Sequence, residues 1–168
     1  MDGTGDRTNP LADPGFVAGL RPIPTGAPGE SPDWPAADLH GTRPDGTPVS
    51  VVLDGTAAPL LLIFLAVRCD GCESFWRGLA GGGDLGPGAV VPVVVTHAPG
   101  TVDADEVAVR AAGFAGDVVM DDRAWADYRV TGYPFLVLVE PESRRILVEA
   151  VGFGWDDVAT TVRRGLDG

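Results

Sequence analysis

Leu60-Leu61-Leu62-Ile63-Phe64-Leu65-Ala66-Val67-Arg68-Cys69-Asp70-Gly71-Cys72 decides the fold. The run from Leu60 to Val67 is continuously apolar and is closed by Pro59 on one side and Arg68 on the other. A run this short fits a central strand buried on both faces, as in a sheet covered by helices. Cys69 to Leu79 is compatible with a helix that starts at the cysteines, and Gly81-Gly82-Gly83 stops it. The thiols therefore fall at a strand-to-helix junction. A helix N-terminus carries unpaired N–H groups and a partial positive charge, so a thiol placed there ionises more easily. The thiolate is the form that attacks disulfides. A second cysteine one helical turn on is close enough to attack a mixed disulfide and release the partner.

Outward from this stretch the chain alternates strands and helices. Upstream, Ala37 to His40, the turn-forming residues Gly41 to Thr47 and the apolar Val49 to Leu53 read as a β-hairpin. Downstream, Val90 to Thr96 is a second buried strand. Val102 to Ala112 places Ala104, Val107, Ala108, Ala111 and Ala112 at helical spacing. Asp117 to Met120 is a short strand and Arg123 to Arg129 a short helix. Phe135 to Val139 and Ile146 to Val151 pair across the turn Glu140 to Arg144, and Trp155 to Leu166 is a closing helix. Such an order predicts an α/β fold, a central mixed sheet flanked by helices with an N-terminal β-hairpin extension. Residues 1–33 are rich in glycine and proline without apolar periodicity and read as a flexible tail, with a short turn around Leu11 to Leu20; residues 34–168 form the domain.

Composition narrows the function. The net charge is −12, and all twelve basic residues are arginine. No basic stripe is present to neutralise phosphates, which argues against nucleic acid and against anionic membrane surfaces. No stretch reaches the length of a membrane span, and the acidic start, with no apolar region after it, does not resemble a secretory signal. The expected setting is cytoplasmic. Only two cysteines occur, too few for a disulfide scaffold; in a reducing compartment an adjacent pair is more often catalytic or metal-binding.

The sequence resembles the thioredoxin superfamily, most closely its TlpA-like thiol–disulfide oxidoreductases, over roughly residues 34 to 165. Four stretches carry the resemblance: Ser31-Pro32-Asp33-Trp34-Pro35 with Asp45 to Ser50, Leu61 to Cys72, Val130 to Pro141, and Ile146 to Gly152 with Trp155. The resemblance implies a thioredoxin-like fold and dithiol–disulfide exchange, with Cys69 as nucleophile and Cys72 as resolving thiol. It also implies that Pro134 follows a cis peptide bond and packs against the cysteines. The backbone of Tyr133 would then hydrogen-bond an extended substrate segment. Disulfide or dithiol proteins would be the substrates, a thiol the electron donor or acceptor, and no cofactor or metal is called for. Three positions depart from the pattern. Arg68 replaces the usual aromatic before the first cysteine, Asp70-Gly71 differs from the usual intervening pairs, and Ile63 stands where thioredoxin has a buried carboxylate. Arg68 favours the thiolate and Asp70 opposes it.

Other readings of the same residues fit less well. A zinc site would need His40 and His97 beside the thiols, without finger-like spacing. A Sco-type copper chaperone would need three residues between the cysteines. A peroxiredoxin would need proline and a hydroxyl where Leu62 and Ala66 stand. A non-catalytic binding scaffold on the same fold is the alternative function. His97 reads as a solvated loop histidine, Trp76 as core or rim packing, and Phe75, Trp125, Phe135 and Trp155 as core. Asp121-Asp122 reads as a turn with a helix cap.

Overall fold

β3 (Leu60–Phe64) is buried at all five positions, and the rest of the computed structural model is arranged around it. The structure describes residues 32–168, so apart from Pro32 and Asp33 the tail expected over 1–33, including the turn at Leu11 to Leu20, lies outside the described residues. β3 pairs in parallel with β4 (Val91–Thr96) and antiparallel with β6 (Phe135–Glu140). With β1 (Leu39–Thr42), β2 (Pro48–Val51), β5 (Asp117–Met120) and β7 (Arg145–Val151), the strands form one seven-stranded mixed sheet in the order β2-β1-β5-β4-β3-β6-β7. The fold is thioredoxin-like with an N-terminal hairpin, as the sequence predicts.

The apolar run is continuous because alternate residues enter different cores. Leu60, Leu62 and Phe64 join Leu39, Leu53, Trp125 and Tyr128 on one face. Leu61, Ile63 and Leu65 join Cys72, Phe75, Leu79, Val158 and Val162 on the other. The helix α1 (Glu73–Ala80), α2 (Ala104–Arg110) and α4 (Asp156–Asp167) contribute to the second core, and α3 (Asp122–Asp127) to the first. Trp34 packs against the first core, and the Arg129 guanidinium lies 4.0 Å from its ring centroid. Among the described residues no helix is long and apolar enough to cross a membrane.

Several ends differ from the periodicity. The central strand stops at Phe64 rather than Val67. The last pair with β6 is Phe64 with Phe135, and the residue that would continue the ladder is Pro134, which has no N–H. Cys69 does not open an α-helix directly: Asp70–Cys72 is a 3-10 turn, and α1 begins at Glu73. α2 is shorter than expected because Val102 pairs with Pro99 and Asp103 caps the helix, its carboxylate accepting from the Asp105 N–H at 2.8 Å.

Candidate functional site

Cys69 holds an extended conformation at the end of the loop that leaves β3, where it caps the 3-10 turn. The Cys72 N–H donates to the Cys69 sulfur at 3.1 Å, a bond that would favour the charged form of a Cys69 thiolate. The two cysteines are joined as a disulfide, with Cα atoms 5.3 Å apart. They are not equivalent. Cys69 is partly exposed, whereas Cys72 is 0% exposed and packs with Phe75 and Ile63. Trp76 closes the site from below: its indole N–H donates to the Ala66 carbonyl at 3.3 Å, tying α1 to the loop before Cys69. Trp76, Phe75 and Trp125 are core residues, while Phe135 and Trp155 pack against the cores at partial exposure.

The Tyr133–Pro134 peptide bond is cis, as the resemblance implies. Pro134 is buried, and its carbonyl accepts from the Gly152 N–H at 3.0 Å, fixing the loop to the end of β7. It meets the cysteine turn at Gly71. A Cβ built there would lie 3.5 Å from Pro134 Cδ and 3.9 Å from Cys69 Sγ. Tyr133 is 46% exposed with its ring edge-on to Trp125, and its backbone N–H and C=O make no backbone hydrogen bond among the described residues. All four residues singled out in the sequence thus fall where β3 ends and β6 begins, at one end of the central strands.

A groove of about 370 Å³ runs beside this end of the strands, lined by Ala66, Arg68, His97, Val102, Glu106 and Tyr133 among others. His97 is not a free loop histidine. Its ring stacks on Trp125 at 4.1 Å, and Nδ1 is 2.7 Å from Asp122 Oδ1. Asp121 is the helix cap that the sequence predicts, accepting from the Arg123 N–H at 2.9 Å. Asp122, by contrast, binds the loop after β4, accepting from the Ala98 N–H at 3.1 Å and the Thr101 hydroxyl at 2.7 Å. Burial would raise its carboxyl, but hydrogen bonds from Thr101, the Ala98 N–H and His97 outweigh that and hold it below the usual carboxylate range. Nothing in local sequence signals this assembly, because its members come from the loop after β4, from α3 and from the loop before Pro134.

One expectation, the role of Arg68, needs correction, and two further features bear on the site. Arg68 does not offer Cys69 a free cation: its guanidinium pairs with Glu106 at 2.6 Å. The imidazoles required for a zinc site are engaged elsewhere, His40 with Ser50 Oγ at 3.0 Å on the hairpin and His97 with Asp122. Phe153 was not singled out, yet it is 87% exposed one residue beyond Gly152 and so close in sequence to the cis-proline anchor.

A Cys-x-x-Cys disulfide at a strand-to-turn junction, faced by a cis-proline and carried on a sheet with helices on both sides, defines the thioredoxin-like class of fold. Solved structures agree. The chain is similar to the thioredoxin domain of a thiol-disulfide oxidoreductase from Bacteroides vulgatus, with TM-score 0.58 and 19% identity over 78% of this chain and 94% of that one. It is similar to a candidate thiol:disulfide interchange protein DsbE from Chlorobium tepidum, with TM-score 0.61 and 21% identity over 79% and 94%. A secreted Mycobacterium tuberculosis disulfide oxidoreductase homologous to DsbE of E. coli matches with TM-score 0.58 and 16% identity over 77% and 96%. No family model and no curated protein matches the sequence.

Proposed function

We propose that the chain is a thiol–disulfide oxidoreductase acting through Cys69 and Cys72. The observation that carries this reading is the inequality of the two sulfurs: one reachable and hydrogen-bonded by a backbone N–H, the other fully buried behind it. In the reduced protein the Cys69 thiolate attacks one sulfur of a partner disulfide. The partner S–S bond breaks, a mixed disulfide forms, and the departing sulfur leaves as a thiolate that takes up a proton. Cys72 then loses its proton and attacks Cys69 Sγ, expelling the second partner thiol. The partner gains two electrons and two protons, and the chain is left as the Cys69–Cys72 disulfide. The reverse sequence oxidises a dithiol, and the reduction potential decides the direction.

The open backbone of Tyr133 beside Pro134 would receive an extended segment of a protein substrate, and the neighbouring groove would accept the side chains that flank its cysteine. The cytoplasmic setting read from the sequence belongs to this proposal, and cell fractionation tests it.

Trapping tests the residue roles. Cys72→Ser should accumulate mixed disulfides through Cys69, seen as thiol-sensitive high-mass bands, while Cys69→Ser should give none and lose exchange activity. A Cys69→Ser protein with full exchange activity would refute the assignment, and inertness of the wild-type pair towards any thiol would favour a binding scaffold.

A further inference from the structure

The residues that bracket the motif carry opposite charges, Arg68 immediately before Cys69 and Glu73 immediately after Cys72. Both are held by the same helix. Arg68 pairs with Glu106 at 2.6 Å, with a second hydrogen bond from Nε at 3.3 Å, and Glu73 pairs with Arg110. Glu106 and Arg110 lie four residues apart on α2, one turn on the same helix face. Arg68, Glu73 and Arg110 line an open cavity of about 520 Å³ together with Cys69 and Asp70. Asp103, which caps α2, adds further negative potential at Arg68, and Arg77 approaches Glu73 at 4.0 Å. Asp70 makes no ion pair among the described residues.

Cations beside a redox thiol stabilise its thiolate, and through it the reduced form; anions do the reverse. Here the two arginines at the Cys69 cavity are each matched by a glutamate, so the four bracketing charges sum to zero. We propose that α2 is a charge clasp across the motif, in which Glu106 and Arg110 position and cancel the charges of Arg68 and Glu73 and thereby set the redox midpoint of the Cys69–Cys72 pair. The proposal rests on the exchange reading above. Glu106 and Arg110 act through Arg68 and Glu73 and are positioning residues.

The signs separate the clasp from mere scaffolding. Glu106→Gln releases the Arg68 cation, favours the thiolate and makes the pair more oxidising. Arg68→Met leaves Glu106 unmatched and makes it more reducing. Glu73→Gln and Arg110→Met should follow the same two directions. A loosened structure would move every variant the same way.

The test equilibrates the full chain with glutathione mixtures, in which two glutathione thiols reduce the protein disulfide and leave as one glutathione disulfide. The readout is the ratio of squared glutathione to glutathione disulfide at half reduction. Glu106→Gln should lower that ratio about threefold and Arg68→Met should raise it about threefold, the scale of exposed ion pairs. In 1 M salt, where the screening length falls to about 3 Å, both differences should shrink towards none. Asp117→Asn is the control. It removes the same unit of charge from an ion pair with Arg43 at 3.0 Å, at the start of β5, which β4 separates from β3, and should leave the ratio unchanged. The clasp is overturned if Glu106→Gln and Arg68→Met shift together, if neither shifts, or if Asp117→Asn shifts as far as Glu106→Gln. A wild-type pair that never interconverts with glutathione removes the exchange reading itself, and the clasp with it.

Discussion

Ile63 shows how little a single side chain reveals about where a charge is kept. In thioredoxin this strand position carries a buried carboxylate; here it is 0% exposed isoleucine, packed in the same core as Cys72. A partly buried carboxylate does occur elsewhere in the sheet. Glu149 on β7 pairs with Val137, whose side chain belongs to the opposite core, so it cannot serve Cys72. Burial raises the Glu149 carboxyl above the ordinary value, Arg129 offsets this only in part, and its Oε1 is buried without a hydrogen-bond partner. The folded protein therefore holds this proton to higher pH than the unfolded chain, and stability is lost as pH rises from the ordinary glutamate value through the raised one. Glu149→Gln removes that loss. Partial exposure limits the gain to the order of 1–2 °C in Tm at pH 7. At pH 3, well below the ordinary glutamate value, both states hold the proton and thermal melts of variant and wild type should coincide; an equal gain at both pH values would sink the electrostatic account.

Among the elements, α1 is where local propensity and tertiary contact disagree. Gly78 lies inside this helix, where alanine is ordinarily better by about 1 kcal/mol. A Cβ at Gly78 would fall 2.1 Å from the Trp155 ring, which lies across the helix to reach the second core. Overpacking of this kind costs about 1–3 kcal/mol, so Gly78→Ala should lower the denaturation midpoint in urea despite its better propensity. Gly71→Ala, whose Cβ would meet only ordinary contacts at Pro134 and Cys69, should leave the midpoint nearly unchanged. A Gly78→Ala protein as stable as wild type would show that Trp155 is free to move aside. The elements around the motif differ in how legible the sequence makes them. β3 is readable because burial on both faces forces an unbroken apolar run, and the cysteine junction because it follows that run directly. The ends of elements are less so: β3 stops where its neighbour presents a proline, a fact of pairing rather than of propensity. The contacts of Arg68 with Glu106 and of His97 with Asp122 span 38 and 25 residues, and no local pattern records them.

Across the whole molecule, the hairpin extension is joined to the sheet differently from the strands that carry the cysteines. β3 shares five paired positions with β4 and five with β6, while β1 meets β5 at a single paired position, Thr42 with Met120. A backbone bond from the Ala36 N–H to the Arg144 carbonyl at 2.7 Å and several side chains add to that attachment. The buried Tyr128 hydroxyl donates to the Ala37 carbonyl at 2.6 Å and accepts from the Ala37 N–H at 3.1 Å. Arg144 pairs with Asp38 at 3.2 Å and with Asp54 at 2.9 Å. Regions held by few ladder bonds open at lower free energy than the core. The amides of β1 and β2 should therefore exchange with deuterium before those of β3, β4 and β6. Tyr128→Phe removes both bonds to Ala37, each worth about 1 kcal/mol, and should speed exchange at Ala37 and along the hairpin. The glutathione midpoint should stay where it is, because the hairpin lies at the far side of β5 and β4 from the cysteines. Faster exchange spread evenly over the sheet would instead mean that hairpin and redox strands open as one unit, and a shifted midpoint would mean that the first core, on which Tyr128 packs beside Phe64, reaches through β3 to the cysteine loop.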